Sequence, residues 1–251
     1  MKNIVYIIIV CIVQFTFAQD FEQGNALYKK GDYAGAAAQY EGILKQGKES
    51  AEVYFNLGNA YYKLNKVAPA VYNFEKSLLL DPGNRDAEIN LSFAQKMTID
   101  NIKATPRVGF SKMVYNTTAS YHYNTWAWVA VSFAVFFLLL FLGYYLAGTT
   151  LLKRIFFVGM FVVLLGLTVS VIAAVYVKSQ KEKENYAIVY PEVITLKAEP
   201  REGAQDAFIL HEGTKVNVLE TVDNWKKVQL ADDNVGWIPK EDIREIKGEQ
   251  L

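Results

Sequence analysis

Two uncharged stretches separated by one basic pair constrain this chain more than any other feature. No charged residue occurs between Thr125 and Leu152. Lys153 and Arg154 follow, and Ile155 to Val177 is again uncharged. Each apolar run is about 22 residues, roughly 33 Å as a helix, close to the hydrocarbon thickness of a bilayer at about 30 Å. The pattern predicts a hairpin of two transmembrane helices, 126–147 and 155–177, joined by a basic turn at 148–154. The flanking segments must then lie on one side of the lipid bilayer. The runs contain no acid or base to carry a proton or ion pathway. Gly143, Gly159 and Gly166 are expected to ease helix packing.

The N-terminus adds a direction. Lys2 precedes an apolar run from Ile4 to Val13, and Gln14-Phe15-Thr16-Phe17-Ala18 leads into polar sequence. This is the order of a secretory signal peptide, 1–18, with cleavage after Ala18; an uncleaved anchor is the alternative. Residues 19–125 and 178–251 are then exported, and the turn with Lys153 and Arg154 faces the cytoplasm, as positive-inside loops do. Trp126, Trp128, Tyr121, Tyr123, Tyr144, Tyr145 and Tyr176 fall where interfacial aromatic belts belong. The single cysteine, Cys11, lies within the signal, so processing leaves no thiol for a disulfide or metal cluster. Lys plus Arg and Asp plus Glu both number 26, which removes a bulk electrostatic pull toward nucleic acid.

Residues 19–103 repeat themselves. Gln23-Gly24-Asn25-Ala26-Leu27-Tyr28-Lys29 recurs as Leu57-Gly58-Asn59-Ala60-Tyr61-Tyr62-Lys63, and Gly24 to Gly58 is an offset of 34 (58 − 24). Ala36 with Ala70, Tyr40 with Phe74 and Leu44 with Leu78 keep the offset; Ile43 meets Ser77. The period and the small and aromatic positions resemble the tetratricopeptide repeat. Small residues let paired helices approach, and Tyr40 and Phe74 fill the space left. A third helix, Asn84 to about Ile102, reads as a half repeat that caps the stack. The resemblance implies an all-α solenoid whose first helices line a peptide- or protein-binding groove. Its positions here are Phe21, Asn25, Phe55, Asn56, Asn59, Tyr62, Lys63 and Asn90. Phe21, Asp86 and Asn90 stand where the family's carboxylate clamp needs cations, so that clamp is excluded from this groove.

Residues 104–125 form a linker or membrane approach. Strand signals follow at Tyr186–Tyr190, Ala207–Leu210, Lys215–Val222, Trp225–Leu230, Val235–Pro239 and Ile243–Ile246. Glu212-Gly213-Thr214-Lys215-Val216, Asn224-Trp225-Lys226-Lys227-Val228 and Val235-Gly236-Trp237-Ile238 resemble the bacterial SH3-like domain, which implies a small all-β barrel over 178–251. Thr195–Pro200 departs from that family. Trp225 and Trp237 are the candidate binding platform, with the hydrophobic core as their other reading.

The order of modules resembles the BatE-type proteins of the Bacteroides aerotolerance operon. That resemblance implies an inner-membrane protein with both soluble domains in the periplasm. Its partners would be von Willebrand-type Bat membrane proteins, and its role the support of oxidative-stress tolerance. No catalytic, cofactor or metal constellation is present in the sequence: His122 and His211 are far apart, and the glycines serve repeats and turns. The expected protein is a non-enzymatic scaffold. The alternative is an envelope sensor or anchor whose SH3-like domain binds peptidoglycan.

Overall fold

The computed structural model describes residues 19–103, 105–106, 109–118, 121 and 123–247. The signal segment with Cys11 and His122 lie outside the described residues. The chain divides into two units: Met1–Thr105 together with Asn185–Leu251, and Pro106–Glu184.

The first unit opens with α1, covering 19–29 of the described residues, then α2 (Tyr33–Lys45), α3 (Ala51–Lys63), α4 (Val67–Leu80) and α5 (Arg85–Gln95). Local chemistry sets the starts. Asp32, Ser50 and Asn84 accept from the backbone N–H three residues on, at 2.9, 3.2 and 3.0 Å, each satisfying a donor that the first turn cannot. The paired landmarks then meet. A Cβ on Gly24 would lie 2.6 Å from the Tyr40 ring, and one on Gly58 2.8 Å from the Phe74 ring. Tyr40 and Phe74 are almost fully buried. Ser77 breaks the apolar match with Ile43 but is equally buried, because its hydroxyl donates to the Ala51 carbonyl at 2.8 Å.

The third helix is shorter than the periodicity suggests and stops at Gln95. Thr98 turns its hydroxyl back to the Gln95 carbonyl, competing with further helix. The chain then runs extended: Ile102 packs on the core of the C-terminal sheet, and Thr105 N–H donates to the Ala231 carbonyl at 3.0 Å.

That sheet contains β1 (Tyr186–Val189), β2 (Val193–Lys197), β3 (Asp206–His211), β4 (Lys215–Val222), β5 (Trp225–Gln229), β6 (Val235–Pro239) and β7 (Ile243–Glu245). It is antiparallel, in the order β3-β2-β6-β5-β4-β1-β7. The departing segment Thr195–Pro200 supplies most of β2, a strand absent from those expected although Val193-Ile194-Thr195 is a β-branched run. Leu210 from one end strand and Ile243 from the other share one core with Leu196, Val216, Val228 and Ile238.

In the second unit, α6 (Gly109–Thr118) precedes α7 (Tyr123–Leu146) and α8 (Thr150–Lys183). Both α7 and α8 are long and apolar enough to cross a membrane. Their connection is only Ala147-Gly148-Thr149, and Lys153 and Arg154 already lie within α8, so the turn is tighter than that expected over 148–154. Thr149 caps α8 through its hydroxyl, which accepts from Leu152 N–H. Gly143 faces the Phe156 ring and Gly166 the Phe133 ring, where a Cβ would lie 2.9 Å away in each case. These are close approaches of the kind small residues permit between transmembrane helices.

Candidate functional site

The groove residues sit on α1, α3 and α5, where they build a ladder. The Asn56 amide donates to Asn25 Oδ1 at 3.0 Å, and Tyr40 Oη donates to the same oxygen at 2.7 Å. Asn90 donates to Asn59 Oδ1 at 2.7 Å. Burial pushes the Tyr40 phenol up to about 12, so it keeps its proton and remains a donor. Each rung joins one repeat to the next. Among the described residues, Nδ2 of Asn25 and Asn59 and Oδ1 of Asn56 and Asn90 take no further hydrogen bond, which leaves two donors and two acceptors. Such alternation suits a peptide backbone, which carries both kinds of group. Phe21 and Phe55 turn toward the core, with ring centroids 5.9 Å from Tyr40 and 6.1 Å from Phe74. Tyr62 is half-buried beside α4, and Lys63 is exposed.

The two tryptophans separate. Trp237 is 9% exposed and carries Lys227 Nζ 5.6 Å above its ring. Trp225 opens β5 and is half-buried.

The repeats and the sheet also dock directly, an arrangement that no sequence pattern announces. Ile188 and Ile246 join Val67, Ala68, Val71, Phe74, Leu91 and Ala94 in one apolar cluster. Polar contacts surround it. One Asp100 carboxylate oxygen accepts from His211 N–H at 2.7 Å and from the Thr214 hydroxyl at 2.6 Å; the other lies 2.7 Å from His211 Nδ1. Burial alone would raise the Asp100 pKa, but these hydrogen bonds and the imidazole charge outweigh it and hold the carboxyl below its ordinary value. Lys215 donates to both oxygens of Glu75, at 2.8 and 2.9 Å, and sits 4.3 Å above the Tyr186 ring. Gly213, at φ +82°, lies against Thr98 and Val67; a Cβ there would come within 2.8 and 2.9 Å of them.

A helix cap crosses the same junction. Lys66, at the N-cap of α4, offers no side-chain acceptor, and Glu212 reaches over from the sheet to the Ala68 N–H at 3.4 Å. A carboxylate there also meets the positive end of the helix dipole. Glu212→Ala is expected to cost about 1 kcal/mol, read as faster amide exchange in the first turn of α4.

Both parts have counterparts among known proteins. Residues 21–85 match the tetratricopeptide repeat family, and residues 210–243 match the family described as the bacterial dipeptidyl-peptidase Sh3 domain. This chain carries tetratricopeptide repeats and a bacterial SH3 domain. Over 75 residues it is 33% identical to sperm-associated antigen 1 of Rattus norvegicus, covering 30% of this chain and 8% of that one. Over 69 residues it is 35% identical to the BBSome complex member BBS4 homolog of Drosophila melanogaster, covering 28% and 14%. The chain therefore spans a small fraction of these relatives.

Proposed function

We propose that this protein is a non-enzymatic inner-membrane scaffold. Its repeats and SH3-like domain, the latter rolled into a barrel, stand together in the periplasm and bind protein partners there. In this reading the partners are those of the Bat complex that the module order implies, and the output is oxidative-stress tolerance. One observation carries the reading: the segments before and after the two apolar helices form a single folded unit, held by the Ile188 and Ile246 cluster and the Asp100 contacts. A bilayer cannot divide such a unit, which supports the reading in which α7 and α8 enter and return as a hairpin. Two binding modules fixed side by side raise each other's effective concentration for a shared partner. The burial of Trp237 favours a scaffold over a wall-binding platform centred on that ring.

Accessibility labelling tests the arrangement. In cells carrying Cys11→Ala, a cysteine at exposed Asn101 is expected to react with a membrane-impermeant thiol reagent added from the periplasmic side. A cysteine at Gly148 is expected to stay protected until the membrane is permeabilised. Labelling at Gly148 without permeabilisation would overturn the topology. Crosslinking from the repeat groove that recovers no protein would overturn the scaffold.

A further inference from the structure

An open cleft of about 520 Å³ lies where the repeats meet the sheet, within the usual span of ligand sites at about 300–1,000 Å³. It is distinct from the asparagine groove. On α3 the cleft takes Tyr54, Leu57 and Tyr61, and the groove takes Asn56, Asn59 and Lys63. The two stripes are offset by two residues, about 200° around a helix at roughly 100° per residue, so they face opposite ways. The sheet completes the cleft with Tyr190 and Arg244. Neither module alone contains it.

Its lining is aromatic and cationic. Tyr54, Tyr61, Tyr72 and Tyr190 supply phenol rings. Arg244 lies 4.6 Å over the Tyr190 ring, and Lys66 lies 5.7 Å over that of Tyr61. Glu41 is the carboxylate of the lining, and it already accepts a hydrogen bond from the Tyr61 hydroxyl. Lys45, Lys66 and Arg244 pair with no carboxylate among the described residues. The cleft therefore sets three cations against the single carboxylate of Glu41, with flat rings for apolar side chains and walls fixed by the docked domains. An anion bearing apolar groups complements it.

We propose that this cleft binds a short acidic peptide segment of a partner protein, its carboxylates meeting Arg244, Lys66 and Lys45 and its apolar side chains lying on the tyrosine rings. Calorimetric titration of the full chain in detergent tests this with acetyl-Phe-Glu-Asp-Phe-amide and its uncharged Gln-Asn counterpart. The acidic peptide is expected to bind and the uncharged one to bind at least about tenfold more weakly, as for loss of a charge-assisted hydrogen bond. Arg244→Gln and Lys66→Gln, both at exposed positions, should each reproduce that loss, and Lys29→Gln, an exposed lysine outside the cleft, should not. Equal affinity for the two peptides, or no heat up to about 1 mM peptide, would overturn the proposal. So would unchanged binding in Arg244→Gln. Tighter binding of a muramyl tripeptide would overturn the assignment to a protein segment and place a cell-wall ligand in the cleft.

Discussion

Replacing Gly58 with valine is expected to destabilise the repeats by about 2–3 kcal/mol, as overpacked core positions do. Even the Cβ would lie 2.8 Å from two carbons of the Phe74 ring, and Phe74 is fully buried with the Phe55 ring tilted against it. The ring has no open space to move into. A non-glycine residue gains up to about 1 kcal/mol of helix propensity, less for valine, which is too little to offset the clash. Gly42 provides the opposite sign. It lies inside α2, and a Cβ added there would meet nothing within 4 Å, so Gly42→Ala is expected to stabilise by up to about 1 kcal/mol. Hydrogen exchange of peptides from α2, α3 and α4 in the full chain measures both. Undiminished protection in Gly58→Val would mean that Gly58 and Phe74 are not in contact.

The same contact explains why the repeats are legible. Gly24 with Tyr40 and Gly58 with Phe74 are local pairs that recur at a fixed offset, so the sequence states each twice. The long apolar helices are equally plain, because their composition signals them without reference to partners. The groove residues fall on the helices that the repeat pattern assigns them. Their ladder is harder to read, although Asn25 with Asn59 and Asn56 with Asn90 both keep the 34-residue offset. That doubled asparagine is the signal that could have found it.

Docking of the repeats onto the sheet is not legible, for a physical reason. Asp100 and Thr214 are 114 residues apart, and the contacts occur once, with no period to betray them. The helix pattern carries on to about Ile102 and hides the end of the helix at Gln95. Asp100 and Asn101 are weak helix formers, and the stretch up to Ile102 that the sequence pattern assigns to the third helix is the segment that reaches the sheet. By contrast β2 does carry a strand signal, the β-branched run Val193-Ile194-Thr195 before Leu196, which the departure of Thr195–Pro200 from the SH3-like pattern masks; Leu196 is the residue of that strand buried in the core.

Asp100→Ala is expected to loosen that docking by about 2–4 kcal/mol while both modules stay folded. The variant leaves the His211 N–H and the hydroxyl of buried Thr214 without their acceptor, and each such group costs about 1–3 kcal/mol. The modules survive because each has a core of its own besides the shared cluster: Leu196, Val216 and Ile238 in the sheet, Tyr40, Val53 and Leu57 in the first repeats. Exchange is therefore expected to rise in β1 and the first turn of α4, and to hold in β5 and α2. Acid is expected to weaken the same docking in the unaltered chain. The folded Asp100 pKa lies below the ordinary 3.8, so the undocked state binds more protons as the pH falls and the docked state loses stability in that range. The contribution is complete above the ordinary value and disappears as the pH drops through the depressed one. Asp100→Ala lacks this carboxylate and should lose that step in an acid titration of β1 exchange. A step retained in the variant would assign it to other groups, and unchanged exchange in β1 at neutral pH would remove Asp100 from the docking altogether.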